Sequence, residues 1–189
     1  MSIAPMMGDL KRTVAPTLLP ITMDEAKWAI QTLDDDEINI PLMDKIYEAV
    51  DVVERDSHRQ LLTQTWQLTR ERFPSGDFEL HKFPVASVTS VTYMLNGVLT
   101  TLSSSTYQTK LTGFPGIIRP KLGYYWPVAD SGLLEAVTVT WVAGYASASL
   151  LRADYACAKG AVLYALRHLW SGCPLDDNYW AMIYRLRPV

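Results

Sequence analysis

The fold is decided by residues 135–169, which read EAVTVTWVAGYASASLLRADYACAKGAVLYALRHL. Before residue 144, Val137, Val139 and Trp141 alternate with threonines, and this period of two is typical of a half-buried strand. After residue 144, apolar residues recur at steps of four and three positions, which is the period of a helix. These helical positions are Leu151, Tyr155, Ala158, Val162, Leu166 and Leu169. The run therefore predicts a final strand followed directly by a helix.

The residues before this run predict an antiparallel β module over 61–145. The segment 85–95 is rich in Val, Thr and Tyr, but its apolar phase slips between Val88 and Val91, which predicts a bend or bulge. Asn96-Gly97 predicts a two-residue hairpin, because both residues tolerate positive φ. The other predicted strands are 63–73, 78–80, 106–111, 116–119 and 135–143.

Two helices are predicted before the β module. Thr22 and Glu25 have the spacing of a capping box, which predicts a short helix to about residue 32. The acidic run 34–37 then precedes a helix of about 40–59, whose apolar face recurs at helical spacing. The predicted fold class is α+β, with a small helical bundle and an antiparallel β module inserted between its second and third helices.

The predicted organisation is a single structural domain made of five successive segments. Prolines at positions 5, 16 and 20 favour an extended N-terminal arm, which is either a loose terminus or a segment that packs on a neighbouring subunit. The five segments are the arm (1–20), a first stretch of the helical bundle (21–60), the β module (61–145), a second stretch of the bundle (146–175) and a C-terminal docking tail (176–189).

Composition excludes several classes of function. The chain has 189 residues, of which 49% are hydrophobic and 20% charged, so it is neither disordered nor fibrous. A net charge of −3 argues against a dedicated nucleic-acid binder, and no apolar run approaches the length of a membrane span. The N-terminus lacks the apolar core of a signal peptide. The two cysteines form no metal-like cluster and fit a reducing compartment.

The sequence predicts no catalytic residue, metal site or cofactor. The three histidines have no Cys or carboxylate at metal-ligand spacing, so they are interpreted as solvated or interface residues. Glu71, Asp77 and Glu79 are the carboxylates that could pair in a cleft, but nothing in the sequence marks their environment. An enzyme with paired carboxylates is therefore the least favoured of three hypotheses for the function.

The chain as a whole is rich in aromatic residues, with 6 Trp, 10 Tyr and 4 Phe. Three of them lie close together in the C-terminal tail. Tyr179, Trp180, Tyr184 and Arg185 are of the residue types enriched at interface hot spots. The tail either packs on its own bundle or docks into a partner, and the prediction is that it is buried only when the partner is present.

Seven runs follow one another along about residues 20–189. They are ITMDEAKWAI, the acidic gap DDDE, SHRQLLTQTWQLTRERFP, FPVASVTSVTYMLNG, YQTKLTGFPGIIRPKLGYYWP, VTVTWVAGY and the ending YRLRPV. The most specific are LLTQTWQLTRERFP, SVTSVTY and VTVTWVAGY. In this order the runs resemble the head–tail connector (adaptor) proteins of tailed bacteriophages, in the longer branch with an inserted β module.

This resemblance implies a non-enzymatic structural role. Such adaptors form a ring, commonly of twelve subunits, below the portal protein, where they extend the DNA channel and carry head-closure or tail proteins. It implies a location in the virion neck after synthesis in the host cytoplasm, with double-stranded DNA passing through the lumen without sequence-specific binding and no membrane partner. The residues it assigns to portal docking are Tyr179, Trp180, Met182, Ile183, Tyr184, Arg185, Leu186 and Arg187.

The alternative hypothesis is a β-sheet ligand-binding module. Trp66, Trp126 and Trp141 could recognise a carbohydrate or peptide from alternating strands. The same alternation favours a place in the core for these side chains.

Overall fold

The computed structural model describes residues 8–32 and 38–188, and the acidic run 34–37 lies outside them. The chain divides into two compact units, and each is made of two separate chain segments. The β unit comprises Gln64–Ala143 and the described residues up to Ala15. The helical unit comprises Pro16–Thr63 and Gly144–Val189. The fold is α+β with the β module between the second and third helices, as predicted.

The β unit contains two antiparallel sheets. In chain order the strands are β1 (Asp9–Val14), β2 (Gln64–Arg70), β3 (Phe78–Leu80), β4 (Val85–Leu95), β5 (Val98–Thr101), β6 (Tyr107–Lys110), β7 (Gly116–Pro120) and β8 (Val137–Ala143). The larger sheet has the order β1-β2-β8-β4-β5, and the smaller has the order β3-β7-β6. Strand β8, the last strand along the chain, therefore lies at the centre of the larger sheet.

The two irregularities predicted for the β4–β5 hairpin are present. The register of β4 against β8 shifts between Val88 and Ser90, which is the predicted bulge. Leu95 pairs with Val98, and the two residues between them have φ angles of 52° and 75°. Positive φ at both central positions is the conformation that Asn-Gly favours in a two-residue hairpin.

The core of the β unit forms on the inner face of β8. Val137, Val139 and Trp141 are fully buried there, and the intervening residues are only half-buried. Trp141 satisfies its indole N–H by donating to the backbone carbonyl of Lys82 at 3.3 Å. The alternation read in the sequence is thus the alternation of inner and outer faces.

The N-terminal segment differs from the predicted arm. Asp9–Val14 pairs with β2 and forms an edge strand of the larger sheet. Its six residues are all exposed, so no buried face requires the alternation of apolar and polar residues from which a strand is predicted. Gly8 is required beside it, because a Cβ there would lie 2.3 Å from the carbonyl oxygen of Thr69.

The helical unit contains five helices among its described residues. They are α1 (Met23–Ala29), α2 (Asn39–Ser57), α3 (Ala148–Asp154), α4 (Cys157–Ser171) and α5 (Asp177–Leu186). The predicted capping box at the start of α1 is present, with Thr22 and Glu25 each accepting from the other's backbone N–H. None of the helices in residues 8–32 and 38–188 has both the length and the apolar character that a membrane crossing requires.

The helix predicted from Leu151 onward is two helices. The chain leaves helical geometry at Tyr155, whose φ and ψ are −135° and 80°. The Tyr155 side chain is held there by Arg59, which donates to its hydroxyl at 2.9 Å and lies 4.0 Å from the ring centroid. The apolar spacing continues across the break because Leu151 and the buried residues of α4 belong to the same hydrophobic core.

Candidate interaction surfaces

The predicted docking tail is an ordered helix, α5, and its first turn is capped by Asp176. The Asp176 carboxylate accepts from the backbone N–H groups of Asn178 and Tyr179 at 3.0 and 3.2 Å. It also accepts from the Tyr164 hydroxyl at 2.8 Å, and that hydrogen bond lowers the pKa of Asp176. The cap ties the start of α5 to α4.

The inner face of α5 belongs to the core of the helical unit. Tyr179, Ile183 and Leu186 are each 0% exposed. The Tyr179 hydroxyl donates to the Asp56 carboxylate at 2.9 Å. Burial is the main cause that raises the pKa of Tyr179, and this hydrogen bond raises it further. The prediction that the whole tail is buried only when a partner is present is therefore wrong for these three residues, which pack on their own bundle.

The C-terminal end of α5 is held by a buried arginine. Arg59 is 1% exposed and donates through Nε to the backbone carbonyl of Leu186 at 2.7 Å. Carbonyls in the last turn of a helix have no partner within the helix, so this contact satisfies one of them. Arg187 Nε also donates to the carbonyl of Asp56 at 3.3 Å. The helix is thus fixed at both ends.

The outer face of α5 remains available for a partner. Trp180 is 45% exposed, Tyr184 is 78% exposed, and Arg185 is exposed beside them. The Trp180 ring is oriented by an edge-to-face contact with Tyr179, at 5.2 Å between centroids. We call Trp180, Tyr184 and Arg185 the α5 outer face. Met182 is half-buried. Of the eight predicted docking residues, three therefore lie in the core, and the others are half-buried or exposed.

A second exposed apolar surface, which was not predicted from the sequence, lies in the loop that joins β7 to β8. Leu122, Tyr125 and Val128 are 100%, 90% and 85% exposed, and Leu134 is 78% exposed. Contiguous exposed apolar patches mark interaction sites in soluble proteins, which makes this loop a candidate surface. The run GYYWPV over 123–128 was the available signal, and it carries no periodicity that separates exposed from buried rings.

The same loop borders a groove of about 800 Å³ in the β unit. Trp126 forms one wall, stacked on Phe73 with 4.9 Å between centroids. Asp77 and Arg119 lie in the groove and form two hydrogen bonds of 2.5 Å. The hydrogen bonds from Arg119 lower the pKa of Asp77, which is the opposite of what a general acid at neutral pH requires.

Of the three carboxylates considered for catalysis, Glu71 and Asp77 line the same groove and Glu79 does not. The Glu79 Oε2 atom lies 3.5 Å from the Nε2 atom of His81. Within residues 8–32 and 38–188, no group of three or more His, Cys, Asp or Glu side chains is placed to hold a metal ion.

The three tryptophans of the ligand-binding alternative do not form a platform. Trp141 is fully buried, and Trp126 lies in a loop and not on a strand. Trp66 is half-buried, with the Lys82 ammonium 4.2 Å from its ring centroid. The expected placement on alternating strands is therefore wrong for Trp126, and Trp141 is inaccessible to a ligand because core packing covers it.

Several chains of solved structure share this fold. No protein-family model and no curated protein matches the chain. A chain in the virion of a native gene transfer agent particle matches with a TM-score of 0.78 and 21% identity over 95% of each chain. A chain in the neck of an empty particle, computed with C6 symmetry, has a TM-score of 0.76 at 20% identity over 96% of each. A chain in the neck of a native particle, computed with C12 symmetry, has a TM-score of 0.72 at 21% identity over 96% of each.

Proposed function

We propose that this protein is a structural head–tail connector (adaptor) in the neck of a tailed phage or phage-like particle. The observation that carries the proposal is the fold, which extends over 95% or more of both chains in matches to virion and neck structures. A match to a single common module would support much less, because many functions share one fold.

In this proposal the protein forms a homo-oligomeric ring of twelve subunits below the portal protein. The ring extends the DNA channel and joins the head to head-closure or tail proteins. The C6 and C12 symmetries of the matching neck structures support a ring. A net charge of −3 suits a lumen through which DNA slides, because a strongly basic lining would hold phosphates.

The α5 outer face is the proposed portal contact. It presents two exposed aromatic rings and an arginine on a helix whose other face is already packed, so binding requires little ordering of the chain. Tyr179, Ile183 and Leu186 support the helix from beneath and do not touch the portal in this scheme. Arg187 is exposed and donates to the backbone carbonyl of Asp56, and in this scheme it borders the portal contact.

The test is binding of the purified chain to portal rings of the same particle, followed by sedimentation and electron microscopy. The variant is Trp180→Ala with Tyr184→Ala, and Tyr47→Ala on α2 is the matched control, because Tyr47 is also an exposed aromatic residue at 51%. The expected result is that wild type and control add a ring below the portal and the double variant binds at least about tenfold more weakly. Failure of wild type to bind contradicts the connector function, whereas equal binding by the double variant contradicts only the α5 contact.

A further inference from the structure

The β4–β5 hairpin lies in a long uncharged stretch of the chain. No Asp, Glu, Lys or Arg occurs between Lys82 and Lys110, although such residues make up 20% of the sequence. Surfaces that stay in water usually carry charges, whereas the cores of protein interfaces are depleted of them. The hairpin therefore contributes no charged side chain of its own, although the Asp130 carboxylate lies at its turn.

Strand β5 belongs to this uncharged stretch and lies at an edge of the larger sheet. It pairs with β4 on one side, and among the described residues no strand covers its other side. Val98 and Leu99 are 63% and 65% exposed, and Leu95 at the turn is 39% exposed. An exposed apolar edge strand without charges is a template for pairing with another chain.

The hairpin is held in one conformation before any partner binds. The Asp130 carboxylate accepts from the backbone N–H groups of Asn96 and Gly97 at 2.8 and 2.7 Å. The backbone N–H of Asp130 donates in turn to the carbonyl of Met94 at 3.0 Å. A rigid edge lowers the conformational entropy lost on association.

The opposite edge of the same sheet is different in character. Strand β1 is exposed along its whole length and carries Asp9, Lys11 and Arg12. Every pairing across the sheet is antiparallel, so β1 and β5 run in the same direction. A contact between β1 of one copy and β5 of the next uses two different surfaces, which is the requirement for a ring.

We propose that the β5 edge binds the β1 edge of a second copy of this chain and continues the sheet between neighbouring subunits. This inference rests on the proposed ring and names the surfaces that build it. Strand β1 carries two cations, Lys11 and Arg12, and one anion, Asp9, so two β1 edges facing each other have the same net positive charge and repel each other. The uncharged β5 edge offers no such repulsion, and two β5 edges would close a dimer without forming a ring.

The first experiment cross-links single cysteines placed on the two edges. Thr101→Cys on β5 and Lys11→Cys on β1 are made separately in a Cys157→Ser, Cys173→Ser background, mixed, and treated with a short bismaleimide. The matched control replaces the β1 variant with Tyr47→Cys on α2. The expected result is a covalent dimer from the mixture at about tenfold the yield of the control mixture or of either variant alone.

Two outcomes overturn the proposal. One is that Thr101→Cys cross-links to itself as well as it does to Lys11→Cys, which indicates a two-fold contact. The other is that the mixture gives no more dimer than the Tyr47→Cys control, both free and bound to portal rings. If portal binding persists in that second case, the edge contact is wrong and the connector function stands. If the edges cross-link but the chain does not bind the portal, only the connector function is wrong.

The second experiment places a charge on the uncharged edge. Leu99→Lys on β5 is compared with Leu150→Lys on α3, where the side chain is 53% exposed. Circular dichroism first establishes that both variants are folded. The expected result is that Leu99→Lys lowers ring formation on the portal about tenfold and Leu150→Lys does not. Equal ring formation by the two variants contradicts the proposal.

Discussion

Arg59 is a charged side chain in the interior of the helical unit. It lies after the C-terminal end of α2 and contacts the carbonyl of Leu186 and the hydroxyl of Tyr155. Both partners are distant in sequence, so a single residue fixes the end of α5 and the break before α4. A buried arginine in this position loses its hydration and gains hydrogen bonds. Its removal leaves those partners buried without a hydrogen bond.

The first prediction concerns Arg59→Met, which keeps much of the length and removes the hydrogen bonds. We expect the free energy of unfolding to fall by about 3 kcal/mol, because buried polar partners are left unsatisfied. Urea denaturation measures the change. The control is Arg55→Met, at a side chain that is 67% exposed, where we expect a change within about 0.5 kcal/mol. Similar losses for both variants would contradict the role given to Arg59.

The second prediction contrasts two glycines of the helical unit. Gly160 is in the interior of α4, and a Cβ there would lie 3.7 Å from the Met182 sulfur, which is an ordinary contact. Gly160→Ala should therefore raise the free energy of unfolding by about 0.5–1 kcal/mol. Gly144 has a φ of +99°, and a Cβ there would lie 2.1 Å from the carbonyl oxygen of Leu62. Gly144→Ala should be strongly destabilising, and opposite signs in thermal denaturation check the pair.

At the scale of elements, the ten residues of α5 have one buried side and one exposed side. Its inner face completes the hydrophobic core, and its outer face carries the rings that the portal proposal uses. Removing the whole tail would therefore unfold part of the helical unit as well as remove the proposed contact. Point substitutions on the outer face separate the two roles.

The third prediction tests that separation. Ile183→Ala should lower the free energy of unfolding by about 3 kcal/mol, because it leaves a cavity in the core. Tyr184→Ala, one position further along, should change it by less than about 0.5 kcal/mol, because its side chain is 78% exposed. Guanidinium denaturation of the two variants gives the comparison. A large loss for Tyr184→Ala would mean that the ring supports the fold and is not a free contact surface.

The fourth prediction concerns the β4–β5 hairpin. Asp130→Ala removes the acceptor for the N–H groups of Asn96 and Gly97, and hydrogen bonds to a carboxylate are stronger than neutral ones. We expect a loss of about 1 kcal/mol in the free energy of unfolding and faster hydrogen exchange at these two amides. The neighbouring variant Ser131→Ala should change neither quantity. Unchanged exchange in Asp130→Ala would contradict the rigid turn.

At the scale of the whole molecule, each unit is assembled from two segments of chain and has its own hydrophobic core. Two tyrosines of the helical unit have strongly raised pKa values. Burial raises the pKa of Tyr145 to about 12, and burial with the hydrogen bond to Asp56 raises the pKa of Tyr179. The folded state therefore holds these protons more tightly than the unfolded chain does.

The fifth prediction follows from the sign of these shifts. Stability from both tyrosines is complete below their unfolded pKa of about 10, and it is lost as the pH rises from there toward the folded pKa values. The free energy of unfolding should fall above pH ~10, and Tyr145→Phe with Tyr179→Phe should reduce that slope. Urea denaturation as a function of pH measures it. A slope in the double variant equal to that of wild type would contradict the prediction.

Elements with strong periodicity were predictable from the sequence. The alternation in β8, the bulge in β4, the Asn96-Gly97 turn and the Thr22 cap depend on local chemistry, and the structure confirms them. The candidate docking residues were also identified as a segment. Their division into core and surface was not, because Tyr179, Trp180 and Tyr184 are all aromatic in sequence and differ only in which side of α5 meets α2 and α4.

The sequence by itself determined the α+β class and the insertion of the β module, since hydrophobic period and turn residues act within a few positions of the chain. Only the tertiary structure decided three other features. Asp9–Val14 is a strand because β2 offers it an edge, Tyr155 interrupts a helix because Arg59 holds its ring, and Asp130 fixes a turn more than thirty residues before it. Each depends on a partner that is distant along the chain, and the residues of a local pattern do not identify that partner.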